Sequence, residues 1–116
     1  MKFFSLLVLA SLMISSAFAA VTIKCTKQGR GVVKAVVQGI KQRNGRDSDV
    51  NFYVQYVDYN GKAEKASFDN QVRSKSGTAV NTMNLNYERD QVMAKVLNYN
   101  GNGNHEKVVC PIYKNL

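Results

Sequence analysis

The amino-acid sequence predicts an α+β domain in which one N-terminal α-helix packs on a four-to-five-stranded antiparallel sheet. Three observations support this class. Apolar residues recur at helical spacing within residues 31–43, the apolar period changes to two beyond Val50, and turn signals separate the later apolar runs. A helix followed by a meander of strands is typical of an α+β domain with an antiparallel sheet.

The first nineteen residues predict a secretory signal peptide. Lys2 gives a cationic start, residues 3–14 are almost uninterruptedly apolar, and residues 17–19 form a small-x-small cleavage pattern. A run of about 12 apolar residues is too short for a membrane-spanning helix, which requires roughly 20. We therefore expect a secreted protein with a single domain over residues 20–116 and no membrane partner.

The predicted helix occupies residues 31–43. Its apolar positions follow the i, i+3, i+4, i+7 spacing of one helix face, and they are Val33, Val36, Val37 and Ile40. Its other side is basic, with Lys34, Lys41 and Arg43. Valine and glycine are poor helix formers, so packing must stabilise this helix, and Asn44-Gly45 is expected to end it as a left-handed cap.

The remaining chain predicts strands joined by turns. The expected strands are residues 51–59, 62–68, 83–87, 92–99 and 107–113. Asn60-Gly61 predicts a hairpin between the first two strands, residues 69–79 predict an exposed loop, and 83–87 is expected to pair with 92–99. Alternation places Phe52, Val54 and Tyr56 on one face of the first strand. The other face carries Tyr53, and the extended register adds Asn84, Asn86 and Lys95.

The two cysteines, Cys25 and Cys110, lie near the two ends of the mature chain. An oxidising export pathway favours their pairing, so the sequence predicts one disulfide that joins the N- and C-terminal regions. Two cysteines and one histidine provide no ligand set for a structural zinc ion or an iron–sulfur cluster. We expect no metal and no cofactor.

Basic charge is concentrated near the N-terminus of the mature chain. The formal net charge is +8, and residues 20–46 contain seven basic residues and no acidic residue. A basic helix beside tyrosine-rich strands predicts phosphate neutralisation combined with base stacking, the two parts of sequence-tolerant RNA binding. The expected RNA contacts are Lys34, Lys41, Arg43, Tyr53 and Lys95. The alternative is a basic face that only keeps a secreted protein soluble.

Three passages carry a resemblance that covers essentially the whole mature chain: Ile23-Lys24-Cys25, the segment 32–37, and Gly101-Asn102-Gly103-Asn104 running into Val108-Val109-Cys110. Their order resembles the RNase-like secreted effectors of powdery-mildew fungi, which are similar in fold to small guanyl-specific fungal ribonucleases. The family typically has an aromatic residue where this chain has Ile23. The resemblance implies a ribonuclease-like fold that suppresses host immunity, is detected by host immune receptors in some members, and is exported by a fungal pathogen.

The residues argue against ribonuclease catalysis. The fungal enzymes use a Glu, two His and an Arg to move protons and bind the phosphate. This chain has one histidine, His105, which follows the Gly/Asn-rich loop, whereas the enzymes place their acid histidine before it. The sequence therefore predicts a pseudo-ribonuclease with no catalytic residue. Two alternatives remain: an active secreted ribonuclease or ribotoxin that uses His105, and a basic antimicrobial or killer-type protein acting at anionic surfaces.

Exposed connections are the expected sites of partner contact, because loops carry most binding functions. The expected contacts are Arg73 and Lys75 in the loop 69–79, and Arg89 and Asp90 in the turn 88–91. The expected partners of this monomer are a host protein, such as an immune receptor, and host RNA. Translocation into the host cell is part of this prediction.

Overall fold

The computed structural model describes residues 21–42, 45–97 and 106–116. Several predicted features lie outside the described residues: the signal peptide, Arg43, the Gly/Asn-rich loop and His105. Asn44, the first residue of the predicted helix cap, also lies outside them. The described residues form seven strands: β1 Thr22–Gly29, β2 Val32–Gln38, β3 Asp49–Tyr56, β4 Ser67–Arg73, β5 Ala79–Asn84, β6 Asp90–Val96 and β7 Glu106–Val109. A short 3₁₀ turn, Tyr113–Asn115, follows β7.

The strands form two antiparallel sheets. The three-stranded sheet has the order β1-β2-β5, and the four-stranded sheet has the order β4-β3-β6-β7. Within the sheets β1 pairs with β2, β3 with β4 and β6 with β7, whereas the β2–β3, β4–β5 and β5–β6 connections cross between sheets. A sandwich of three and four strands with such crossovers is an immunoglobulin-like architecture, which many unrelated proteins share. This architecture alone implies no function.

The core lies between the two sheets because side chains alternate along each strand. Val33, Ala35 and Val37 point inward from β2 and are fully buried. Val50 and Phe52 meet them from β3 of the opposite sheet and are also fully buried. Burial of a side chain of this size contributes about 1.5–3 kcal/mol, so this shared apolar layer stabilises the sandwich.

The two sheets are linked at both edges. At one edge β4 lies beside β5, where the Asn70 side chain donates to Asn81 Oδ1 (3.1 Å) and Asn81 Nδ2 donates to Asp69 Oδ2 (3.0 Å). At the other edge β1 lies beside β7, and Cys25 of β1 forms a disulfide with Cys110, with a Cα–Cα distance of 6.1 Å. The predicted disulfide is confirmed, and it joins the first strand to the segment that follows the last.

The predicted α+β class is wrong, because no α-helix occurs among the described residues and the predicted helix 31–43 contains strand β2. Val33 and Val37 are four residues apart, a separation that fits one face of a helix and one face of a strand equally well. Four of the seven β2 residues are valines, which pack well on a pleated sheet. Gly31 and Gly39 have φ values of 73° and 81° and bound the strand.

Several predicted strand boundaries and one pairing are also wrong. Strand β4 covers five of the eleven residues of the predicted loop 69–79 and only the last two residues of the predicted strand 62–68. The sequence did not indicate this strand, because all but one of its residues are exposed and the segment lacks apolar alternation. The predicted pairing of 83–87 with 92–99 does not occur: β5 pairs with β2, and β6 pairs with β3 and β7. The predicted strand 107–113 is shorter in the structure, where β7 ends at Val109.

Candidate functional site

Two aromatic rings lie together on the outer face of the four-stranded sheet. Tyr53 of β3 and Phe68 of β4 pair directly, with ring centroids 5.8 Å apart and an interplanar angle of 77°. A register shift after Phe52 brings Phe68, and not Asp69, opposite Tyr53. Phe68 is 58% exposed, so this irregularity places a large apolar ring in solvent beside the tyrosine.

Two lysines lie on the same outer face. Lys95 of β6 has its Nζ 5.5 Å from the centroid of the Tyr53 ring, within cation–π distance. Lys107 of β7 is directly opposite Lys95 in the β6–β7 register. Among the described residues neither lysine forms an ion pair with a carboxylate. We call Tyr53, Phe68, Lys95 and Lys107 the aromatic–lysine face.

Asn51 lies next to this face, opposite Lys95 in the β3–β6 register. Its Nδ2 contacts the Tyr53 hydroxyl at 3.4 Å and so helps to hold the ring. Its Oδ1 is buried and has no hydrogen-bond partner among the described residues. A buried acceptor of this kind is unusual, since most buried polar atoms are paired. The Asn51 side chain therefore supports the aromatic–lysine face from below and does not form part of its exposed surface.

The predicted RNA contacts do not form one surface. Tyr53 and Lys95 share the outer face of the four-stranded sheet, in agreement with the predicted register. Lys34 lies on the outer face of the other sheet, between Thr26 and Thr82 in the strand register, on the opposite side of the sandwich. Lys41 is exposed beyond the end of β2. Asn84 and Asn86, predicted on the Tyr53 face, belong to the end of β5 and the turn that follows it.

Two of the predicted partner contacts remain accessible. Arg73 has a side chain that is 67% exposed, and it forms an ion pair with Asp49, with Nε and Oδ1 3.0 Å apart. Lys75 is exposed in a tight turn where its backbone N–H and that of Thr78 each donate to the carbonyl of the other residue. Partner binding by either residue stays a prediction.

The other two predicted partner contacts have structural roles. Arg89 donates from Nε to the Val57 carbonyl (2.6 Å) and from Nη2 to the Asp58 carbonyl (2.7 Å). Asp90 is 5% exposed, and its Oδ2 accepts two backbone N–H groups of the preceding turn, at 2.9 and 3.0 Å. Both side chains therefore fix the β5–β6 connection.

Sequence reasoning missed two members of the aromatic–lysine face. Phe68 was expected only at the end of a polar strand, and Lys107 only in the last strand. Phe68 could have been identified from its surroundings, because it is the one aromatic residue in the polar segment Ser67–Arg73. An isolated aromatic side chain in an exposed strand is a candidate binding contact. No local signal identifies Lys107, because its pairing with Lys95 depends on tertiary structure.

No family model, no curated protein and no solved structure matches this chain. Within the described ranges, no helix is both long and apolar enough to span a membrane. The same residues contain no group of three or more His, Cys, Asp or Glu side chains that could hold a metal ion.

Proposed function

We propose that this protein is a secreted, disulfide-closed β-sandwich that binds single-stranded RNA on its aromatic–lysine face without cleaving it. The observation that carries the proposal is that Lys95 lies directly opposite Lys107 and within cation–π distance of the Tyr53 ring, which in turn contacts Phe68. Lysines neutralise phosphates, and aromatic rings on a sheet surface stack unpaired bases. Both requirements of sequence-tolerant binding are met within one small surface.

The lysine pair has an energetic cost in the free protein. Like charges directly opposite on neighbouring strands are destabilising, by a few tenths of a kcal/mol to about 1 kcal/mol. A phosphate between the Lys95 and Lys107 ammonium groups replaces this repulsion with two attractions. We therefore expect RNA binding to change the electrostatic energy most at the Lys95–Lys107 pair.

Binding without cleavage is supported by the sequence, which contains a single histidine. Cleavage through the 2′-hydroxyl requires a positioned acid and base together. The four residues of the aromatic–lysine face include neither a carboxylate nor an imidazole. An active ribonuclease that uses His105 is the alternative, and a cleavage assay separates the two.

Export is supported by the signal-peptide pattern of the first nineteen residues and by the disulfide, since disulfides persist in oxidising compartments. A host protein as partner, a role in host immunity and entry into the host cell stay predictions. They rested on a resemblance whose expected helix-on-sheet fold differs from the observed sandwich, and the RNA proposal does not depend on them.

The proposal is tested by fluorescence anisotropy of a short labelled single-stranded RNA over a salt series, with oxidised protein. Replacing Lys95 and Lys107 with Glu should make the log–log salt dependence shallower by about 1.4, because each lost phosphate contact removes about 0.7. Tyr53→Ala should weaken binding roughly 5- to 150-fold, the equivalent of one lost base stack. An unchanged melting temperature will show that these variants are folded.

The matched control replaces Lys24 and Lys34 with Glu. These two lysines are exposed on the outer face of the three-stranded sheet, and the change in net charge is identical. Equal losses from both double variants would indicate a diffuse charge effect and would refute a defined RNA face. RNA cleavage that disappears in His105→Ala would replace this proposal with the enzyme. Binding to anionic vesicles but not to RNA would replace it with an antimicrobial function.

A further inference from the structure

A cleft of about 550 Å³ opens where the two sheets separate beyond the core. The inner face of β3 leads into it: Phe52 is fully buried, Val54 packs on the edge of the core, and Tyr56 lines the cleft. The start of β4, the end of β5 and the β5–β6 turn form its other walls. This volume is within the range of about 300–1,000 Å³ that small-molecule sites occupy.

Exposed aromatic rings line this cleft. Tyr56 and Tyr87 contact each other edge to face, with centroids 6.2 Å apart and an interplanar angle of 87°. Tyr87 is 66% exposed, and Phe68 also contributes its ring. Large apolar rings left in water on a small domain are a common mark of a binding site.

The backbone at Tyr87 is held by a buried carboxylate. The Asp90 carboxylate accepts the backbone N–H groups of Asn86 and Tyr87, at 2.9 and 3.0 Å, and is itself almost completely buried. Charge-assisted hydrogen bonds of this kind are among the stronger ones in proteins. The exposed ring therefore has a fixed backbone position, which lowers the entropy lost when a ligand binds.

Polar groups of both hydrogen-bonding types surround the rings. Asn84 and Asn86 offer amide donors and acceptors, Glu64 and Asp69 offer carboxylate acceptors, and Ser67 offers a hydroxyl. The amide and hydroxyl groups distinguish this cleft from a site for a simple cation, which needs acceptors only. Lys65 also lines the cleft, but the carboxylates of Glu64, Asp69 and Asp90 outnumber it and disfavour an anionic ligand. A wholly apolar ligand would leave the polar groups without hydrogen bonds.

The cleft continues past Tyr87. A second hollow of about 420 Å³ shares Asn86 and Tyr87 with the cleft and is also lined by Arg30, Glu88 and Tyr113. The two hollows adjoin at Asn86 and Tyr87, and we call them together the groove. A groove of this shape fits an elongated ligand made of repeated polar units better than a single compact molecule.

We infer that this groove binds a neutral oligosaccharide. The C–H faces of a sugar ring are apolar and pack on the negative faces of aromatic rings, and its hydroxyls both donate and accept hydrogen bonds. Tyr87 is the central stacking ring, and the amides and carboxylates of the cleft contact the hydroxyls. The groove shares Phe68 with the proposed RNA surface, but it lies at the end of the sandwich and uses neither Lys95 nor Lys107.

The test is a titration of the oxidised full-length chain with soluble hexamers of glucose and of N-acetylglucosamine, followed by NMR shifts of backbone amides. The shifts should centre on Asn86 and Tyr87. Tyr87→Ala should weaken binding by about tenfold or more, because it removes the stacking surface, whereas Tyr87→Phe should change it by less than about threefold. Tyr59→Ala is the matched control, since Tyr59 is 83% exposed but lies outside the groove.

The absence of shifts with both hexamers at millimolar concentration would overturn the inference. Equal weakening by Tyr87→Ala and Tyr59→Ala would also overturn it. Choline chloride serves as a cationic probe, and choline binding at Tyr87 without sugar binding would reassign the groove to organic cations. The glutamate replacements at Lys95 and Lys107 should leave sugar binding unchanged, so failure here and failure of the RNA proposal are distinguishable.

Discussion

Removal of the Cys25–Cys110 disulfide should lower the stability of this protein more than most single changes. The two cysteines are 85 residues apart, and closing a loop of this length contributes about 4–5 kcal/mol in the chain-entropy treatment. Net stabilities of domains are usually about 5–15 kcal/mol, so the bond provides a large share. At about 4–8 °C per kcal/mol for a domain of this size, the melting temperature should fall by roughly 16–40 °C.

The expected effect is global, because other contacts hold both ends of the bond. Cys25 pairs with Ala35 in the β1–β2 ladder. The Cys110 N–H donates to the Val92 carbonyl at 3.0 Å, and the Cys110 carbonyl accepts from Gln91 Nε2 at 2.6 Å. These contacts keep the last segment in place when the cross-link is absent. The folded state therefore changes little, and the loss comes mainly from a freer unfolded chain.

Thermal unfolding followed by circular dichroism measures this effect in two double variants. Replacing Cys25 and Cys110 with Ala removes the bond alone, whereas replacing both with Ser adds a hydroxyl at Cys110, a position only 3% exposed. The Ser variant should therefore melt lower than the Ala variant by the cost of burying that hydroxyl. A melting temperature within a few degrees of the oxidised wild type in the Ala variant would refute the reasoning.

Two further predictions concern turns and are measured by urea unfolding. Gly31→Ala should lower the free energy of unfolding by at least about 1 kcal/mol more than Gly61→Ala. Both glycines have positive φ, but only at Gly31 would a Cβ approach a backbone oxygen, that of Leu85, at 2.9 Å. Equal losses of stability would contradict this. Asp90→Ala should lower the free energy of unfolding by about 2–4 kcal/mol, because two charge-assisted hydrogen bonds are lost. Asp58→Ala should lower it clearly less, because Asp58 also accepts two backbone N–H groups but does so in an exposed turn. A larger loss of stability at Asp58 would contradict this.

The parts of the fold that sequence reasoning predicted depend on local patterns or on simple counting. Strand β3 alternates with a period of two, and the Asn60-Gly61 signal marks the connection between β3 and β4, where the Gly61 N–H donates to the Asp58 carbonyl at 3.0 Å. The disulfide followed from having two cysteines. The pairing of β5 with β2 is non-local, and no feature of either segment shows that the chain crosses to the other sheet before β6 begins.

The candidate site was predictable only where it lies on two alternating strands. The Tyr53 and Lys95 side chains share a face because β3 and β6 pair in a regular register. Phe68 joins them through a register shift, which sequence does not show. Lys34 was grouped with them because a basic helix beside the sheet would lie near its strands. Once residues 32–38 form a strand, Lys34 points away from the other sheet, and the predicted phosphate site divides into two opposite faces.

Strand β2 can be tested against the predicted helix by two matched substitutions. In the helix, Val36 would face the core and Ala35 would face solvent; in the strand, Ala35 is fully buried and Val36 lies on the outer face of the three-stranded sheet. Ala35→Lys should therefore prevent folding or cost more than about 4 kcal/mol, because it buries an unpaired charge, whereas Val36→Lys should cost less than about 1 kcal/mol. Both variants add one lysine to neighbouring positions, so net charge and solubility change equally. Thermal unfolding of the two proteins decides between the interpretations, since a helix over residues 31–43 reverses their order of stability.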